Sequence, residues 1–338
     1  MTRNTSPKVT QLPRRRFIAD SLGVLLASTA TSLAATGLRE VQETRHALGS
    51  KIAIKVLHPN HRQAKESIQS AFAEIERVES LMSIYRPTSQ LSTLNREGSL
   101  ANPASDLVKL LEQAAAISRH SKGAFDVTVQ PLWRLFRSMP GPQSLPDAAA
   151  IAAAKKRVNW RNVAISPDRI QLKRPDAQIT LNGIAQGYAA DRARTILKES
   201  GMQHALIDCG EIGSLGQNED GKAWKIGIQH PRKPQSFAAM VPLTNRSLAT
   251  SGDYETYFSD DLKQHHIFDP RTGISPTEIA SATVAAPNAT LADALSTTLV
   301  VMGIEKGFRF LSQFPRVDAM VITKDGRQLH SPRFPQSP

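Results

Sequence analysis

The amino-acid sequence predicts an α+β fold with antiparallel or mixed sheets flanked by helices. Three observations lead there. Apolar residues recur with helical spacing in some segments and alternate with strand spacing in others, the two kinds interleaved along the chain. Several strand-like segments are joined by links too short for a crossover helix, whereas parallel neighbours need connections of a dozen residues or more. Across 338 residues, 40% are hydrophobic and 21% charged, which are globular values and exclude a wholly disordered chain.

The elements follow in order. Segment 51–57 alternates polar and apolar residues and reads as a strand. From 62 to 81, Ala64, Ile68, Ala71, Phe72, Ile75, Val78 and Leu81 share one helical face. Leu107, Leu110, Leu111, Ala114 and Ile117 repeat that pattern over 105–118. A Pro- and Gly-rich turn at 139–146 separates this part from a short helix at 148–156 and strand-like pieces at 162–166 and 171–172. Helices are expected again over 189–200, 292–302 and 305–314, and strands over 205–208, 224–228, 240–243, 283–286 and 318–322. There is no internal repeat. Cys209, the single cysteine, excludes an internal disulfide framework and multi-thiolate metal sites; it reads as a small buried core residue.

Residues 1–36 read as an address, 37–330 as the working domain, and 331–338, rich in Pro and Ser, as a flexible tail. Arg14-Arg15-Arg16-Phe17-Ile18 precedes an uncharged apolar run over 22–33, and Ser32 and Ala34 suit cleavage after Ala34. Paired arginines before Phe-Ile resemble the twin-arginine signal, which exports proteins already folded and implies a bacterial periplasm. An uncleaved leader would instead act as a membrane tether. No run of 18 apolar residues exists, so no transmembrane domain is expected in the mature chain. Of the net charge of +12, the leader holds +4, through five basic residues against Asp20. The remaining surplus suits phosphate-bearing ligands; no dense Lys/Arg run with interleaved aromatics points to nucleic acid.

Four segments carry more Gly, Asp, Thr and His than packing requires. Residues 82–95 mix Tyr85 with loop formers after a helix. Gly123-Ala124-Phe125-Asp126 runs into Pro131-Leu132-Trp133, joining close backbone approach to flat aromatic surfaces. Asn182-Gly183-Ile184-Ala185-Gln186-Gly187-Tyr188 is a glycine-punctuated loop opening a helix, a junction whose amides suit an anion. It matches neither the dinucleotide fingerprint nor a P-loop. The last segment spans Thr250-Ser251-Gly252-Asp253-Tyr254, then His265 to Gly273, then Ala292 to Thr297. Asp293 and Thr297 lie one helical turn apart, so a carboxylate and a hydroxyl face the same way. Hard oxygen donors at that spacing suit Mg²⁺; a capping Asp beside a solvated Thr is the plainer alternative. His265 and His266 lack a third ligand at a zinc-like spacing.

Together, in this order and over roughly 48–303, these segments resemble the ApbE family of FAD:protein FMN transferases. The resemblance implies a two-lobed α+β fold with FAD bound between the lobes. It implies FAD contacts at Leu48, Tyr85, Ala124, Phe125, Asp126, Thr180, Gln186 and Phe268. It further implies Mg²⁺ held by the Gly183 carbonyl, Asp293 and Thr297, with Thr290 one turn earlier as a further contact. Thr180 stands where the family usually carries Asp, Gln186 where Lys or Glu is common, and Glu211 where a Gly-Asp pairing is usual. The implied activity is that of a transferase moving FMN from FAD to a Ser or Thr hydroxyl of a client flavoprotein, with AMP leaving. His266 is the candidate base, oriented by Asp269, and Asp293 acts through the metal. Helix-start amides near Gly187 would add to charge neutralisation. The combination of motifs and leader is similar to the periplasmic branch associated with nitrous-oxide respiration, whose client is a membrane-bound flavoprotein. An FAD-binding accessory protein without transfer, and a Mg-dependent FAD pyrophosphatase, are the competing readings.

Overall fold

The computed structural model describes residues 37–141 and 144–335, so the leader and the last three residues lie outside the described part. In chain order, β1 (Arg39–Ala47) and β2 (Ser50–His58) form a hairpin, followed by α1 (His61–Met82), α2 (Gln90–Glu97), β3 (Ser99–Ala101) and α3 (Ser105–His120). Next come α4 (Gln130–Arg137), α5 (Ala148–Lys155), β4 (Val163–Ile165), β5 (Arg169–Leu172), α6 (Ala185–Glu199), β6 (His204–Asp208) and β7 (Ile212–Leu215). The last part holds β8 (Trp224–His230), β9 (Lys233–Leu243), β10 (Ser247–Gly252), β11 (Ile279–Ala286), α7 (Ala289–Met302), α8 (Ile304–Leu311), β12 (Asp318–Thr323) and β13 (Gln328–His330). The fold is α+β.

Eight strands form the main sheet in the order β1-β2-β6-β7-β10-β11-β12-β13. Every pairing among the described residues is antiparallel, as the short links required. Both central faces are covered, and the period of two divides the side chains between them. Ile52, Ile54, Val56, Ala205 and Ile207 join the core beneath α1 and α6, and Ala249, Ala282 and Val284 the core beneath α7. Leu57, Leu206, Leu248, Ala285, Met320 and Ile322 face the other way, against the β8–β9 hairpin. Strand β11 is therefore buried at every position, and its Ala/Ser/Thr-rich sequence keeps α7 close to the sheet.

The observed α6 begins at Ala185 and α7 at Ala289, each a turn or so before the expected start. Pieces 162–166 and 171–172 become β4 and β5 of a three-stranded sheet with β3. Residues 331–335 are not the flexible tail expected. Ser331 N–H donates to Ala319 O at 2.8 Å, and the Phe334 side chain is buried beside Met320 and Ile322. An aromatic with apolar neighbours in reach stays with them whatever the Pro content around it.

Two buried carboxylates show how charge enters this core. Asp253 is 0% exposed and accepts two hydrogen bonds of 2.7 Å from Arg232, in the β8–β9 turn. Lys324, just after β12, stands 3.2 Å away, so one carboxylate ties the hairpin to the main sheet. Asp208, at the end of β6, accepts from Gly210 N–H at 3.0 Å, and burial pushes its pKa up to about 6.

Each makes a prediction. Replacing Asp253→Ala leaves two cations facing an apolar gap. Removing one partner of a buried pair costs roughly 3–5 kcal/mol, and the part-exposed Arg232 places this near about 3 kcal/mol, read as the change in denaturant midpoint; a loss under about 1 kcal/mol would mean that water screens the cluster. For Asp208, the folded pKa lies above the unfolded one, so its contribution is fully present below about 3.8 and is lost as pH rises through about 6. Asp208→Asn should thus gain on the wild type between pH 4 and 6 and hold a lead of about 2–3 kcal/mol above pH 7. Chemical denaturation across that range checks it, and a pH-independent difference would refute it.

Candidate active site

The site is built where α6 crosses α7. A Cβ on Gly187, in the first turn of α6, would stand 2.2 Å from the Ala289 carbonyl oxygen and 2.9 Å from Asp293 Cβ. Only glycine permits this approach. It lets the Gly187 N–H donate to Asp293 Oδ2 at 3.0 Å, so the carboxylate is held by the opposing helix start. Asp191, one turn along α6, caps α7 by accepting from Ala289 N at 2.9 Å and Thr290 N at 2.8 Å. Asn288 adds an ordinary N-cap by accepting from Leu291 N.

This crossing brings Gly183, Asp293 and Thr297 together. A Cβ on Gly183 would meet Thr297 Oγ1 at 3.1 Å and Phe125 Cε2 at 3.6 Å. Asp293 is 3% exposed, whereas Thr297 is the one residue between 292 and 301 that is not buried. A carboxylate, a hydroxyl and a backbone turn are hard oxygen donors, and a carboxylate accepts at several lone pairs, so the Gly187 contact is compatible with a cation on the same group. The residues present therefore fit Mg²⁺ with water completing the shell. Among the described residues no three His, Cys, Asp or Glu converge, which leaves the metal reading on this mixed set alone.

The other expected residues are placed as follows. Tyr85 presents its ring to solvent, 62% exposed, while its hydroxyl accepts from Asn182 Nδ2 at 3.5 Å, at the rim of the site. Phe125 packs beside Gly183 and Ala124 is buried next to it. Leu48 sits in the tight β1–β2 turn with φ of 52°, a left-handed conformation that a leucine seldom adopts. Thr180 is bound into its own loop: its N–H donates to Val127 O at 2.8 Å and its hydroxyl accepts from Asn182 N at 3.3 Å.

Several of the expected residues are already engaged by other parts of the protein. Thr290 donates its hydroxyl to Asp191 Oδ2 at 2.6 Å, so the capping carboxylate claims it as well as the backbone amide beside it. The Asp126 carboxylate is enclosed, accepting from Thr128 N at 2.7 Å, Thr128 Oγ1 at 2.5 Å and Trp160 N at 3.0 Å; it pins two loops together. Phe268 lies in a buried aromatic cluster, 5.0 Å from Phe136 and 6.0 Å from Phe258 between ring centroids. Gln186 is buried and its Nε2 donates to Cys209 O at 3.4 Å, toward the β6–β7 turn. The Gly187 amide serves Asp293 rather than a phosphate.

Asp269 is engaged by Arg271, accepting from Nε and Nη2, each at 2.8 Å. His266 instead donates Nδ1–H to Thr256 O at 3.1 Å, which assigns the lone pair of the neutral ring to Nε2. Its neighbour His265 is buried, donates Nε2–H to Pro276 O, and burial lowers its pKa to about 4, so it is a neutral core histidine.

Three contributors carried no signal that assigned them a role. Ser251 and Ser296 fall within the quoted motifs and Asp191 three residues beyond one, yet the contacts that bring them to the site span 45 to 99 residues. Beside them, a pocket between β8 and the main sheet is bounded by Gly210, Glu211, Ile228, Leu248, Thr250 and Tyr254. Glu211 accepts there from Thr250 N at 3.2 Å and so fixes the strand that carries Ser251.

Known proteins resemble this chain in sequence and fold. An FAD:protein FMN transferase of Treponema pallidum is 31% identical over 314 residues, covering 86% of each chain. One from Klebsiella pneumoniae is 32% identical over 286 residues, 82% of this chain and 87% of its own. The flavin transferase ApbE of Vibrio cholerae superposes with a TM-score of 0.76 at 26% identity, covering 88% of this chain and 98% of that one. The ApbE family profile matches residues 48–321, from the β1–β2 turn to the middle of β12 and through every segment of the site, so the chain belongs to the ApbE family.

Proposed function

We propose that this chain is an FAD:protein FMN transferase acting on a client flavoprotein. The observation that carries the reading is the convergence of Gly183, Asp293 and Thr297 at a crossing that only Gly187 allows, in a chain of this family. In the reaction, the oxygen of a client Ser or Thr attacks the phosphorus on the FMN side of FAD. A new phosphoester bond forms, the bond to the AMP oxygen breaks, and the hydroxyl proton passes to a base. Phosphoryl transfer asks chiefly for alignment and charge neutralisation.

Asp293, Thr297 and the Gly183 carbonyl would hold Mg²⁺, which neutralises diphosphate charge and orients the leaving group. Tyr85 offers an exposed ring for stacking at the rim. His266 Nε2 is suited to receive the client proton because Thr256 O holds the opposite ring nitrogen. The leader supports export by the twin-arginine route to the periplasm, where a membrane-bound component of nitrous-oxide respiration is the proposed client.

Incubating the mature chain with FAD, Mg²⁺ and a candidate client should give a fluorescent client band on a denaturing gel. Free FMN and AMP without labelled client would mean hydrolysis, and FAD retained unchanged would mean an accessory binding role. Exhaustive chelation should abolish labelling, and Asp293→Ala should lower its rate by about 10²–10³-fold. His266→Ala should lower single-turnover labelling about 10²–10⁴-fold; a near-normal rate there, with Asp293→Ala inactive, would move the base elsewhere and keep the metal.

A further inference from the structure

The proton on Thr297 has a direction, and a short chain of hydroxyls sets it. Ser296 Oγ donates to the Asp293 carbonyl oxygen at 2.8 Å. A carbonyl only accepts, and a hydroxyl has one proton, so toward Ser251 at 2.8 Å the Ser296 oxygen must accept. Ser251 therefore donates its one O–H to Ser296. Toward Thr297 Oγ1, 3.1 Å away, Ser251 is left only as an acceptor, so the Thr297 hydrogen points to β10. Both lone pairs of Thr297 Oγ1 are thereby turned off that strand, on the atom that a Gly183 Cβ would approach to 3.1 Å.

The alternative for a helical threonine is visible one residue on. Thr298 Oγ1 donates to Ala294 O at 2.6 Å, four residues back along its own helix. The equivalent carbonyl for Thr297 is that of Asp293, and Ser296 already bonds to it. Without Ser251, Thr297 would be drawn toward that local bond or would rotate freely, and its lone pairs would lose their aim.

We infer that Ser251 is a positioning residue that holds the Thr297 hydroxyl as a pure acceptor and so sets the site's affinity for a divalent cation. The inference rests on the metal reading above. Partners that orient a metal ligand contribute about 10–100-fold in affinity.

The test is a titration of the full chain with Mn²⁺ alone, the free ion followed by its paramagnetic resonance signal, beside the melting temperature of each variant. Ser251→Ala should weaken Mn²⁺ binding at least about tenfold with little change in melting temperature. Ser251→Thr, which keeps the hydroxyl, should bind within about threefold of the wild type. In the transferase assay, Ser251→Ala should need more Mg²⁺ for half-maximal rate and recover kcat at saturating Mg²⁺. Ser296→Ala, which removes the acceptor that directs the Ser251 hydrogen and leaves Ser251 in place, should weaken Mn²⁺ binding by a smaller factor and provides a second reading if Ser251→Ala folds poorly. Wild-type Mn²⁺ affinity in Ser251→Ala and Ser296→Ala, with binding lost in Asp293→Ala, would overturn the positioning role and leave the metal site standing. Wild-type binding in Asp293→Ala would instead overturn the metal reading itself. Failure of Ser251→Thr to restore what Ser251→Ala loses would also count against the hydroxyl chain.

Discussion

The structure depends on one close approach, Gly187 against the Ala289 carbonyl. Two helices from distant parts of the chain meet there with no side chain between them, and 2.2 Å is all the room a Cβ would find. Everything polar at the site follows from that distance. The start of α6 can reach Asp293 only because the axes are this close. Asp191 can cap α7 only from the same crossing, and in doing so it joins the two helix starts through a charge-assisted bond. An alanine at 187 would push against backbone, which cannot swing aside as a side chain can, and the oxygens of Gly183, Asp293 and Thr297 would separate.

The cost of assembling oxygens in an apolar interior is held down by giving each one a protein partner. Asp293 has the Gly187 amide, Thr290 and the first amides of α7 have Asp191, and Ser251, Ser296 and Thr297 bond one another. Buried polar groups left unpaired would each cost about 1–3 kcal/mol. The small residues of β10 and β11 serve this arrangement twice. They let α7 lie close to the sheet, and their hydroxyls reach across it, as with Thr250 and Thr283 at 2.9 Å.

How much of this was legible in the sequence depended on whether a residue's role is local. Helices α1 and α3 announce themselves because one face of each is buried for several turns, and α7 because it is a long run of helix-forming apolar and small residues buried nearly all round. Helix α2 does not: only Leu91 and Leu94 are buried in its eight residues, and its clearest mark is the Ser89 cap, which loops share. Helix α4 was hidden by Pro131, a residue equally at home before a strand and in a first helical turn. Strand β1 buries Val41 alone and shows water a row of charges, which suits a sheet edge and erases the alternation that reveals strands. At the site, Asp293 and Thr297 could be paired from their spacing. Thr290 lies three residues before Asp293, also about one turn away, and nothing on α7 itself reveals that an aspartate 99 residues earlier claims its hydroxyl.

The same distinction explains which motif residues reach the site and which support it from behind. Asp126 and Phe268 belong to segments rich in chemistry-bearing types, yet one carboxylate has three donors from Thr128 and Trp160, and one ring is enclosed by two others. Both hold loops rather than meet solvent. Tyr85 and Thr297 differ in burial, not in residue class: each keeps one surface open, an aromatic face for Tyr85 and oxygen lone pairs for Thr297. A motif therefore names the neighbourhood, and the contacts each side chain makes within it decide which surfaces stay open. Asp293 is as buried as Phe268, and what sets it apart is its place: the Gly187 amide holds its carboxylate at the α6–α7 crossing, one turn before Thr297.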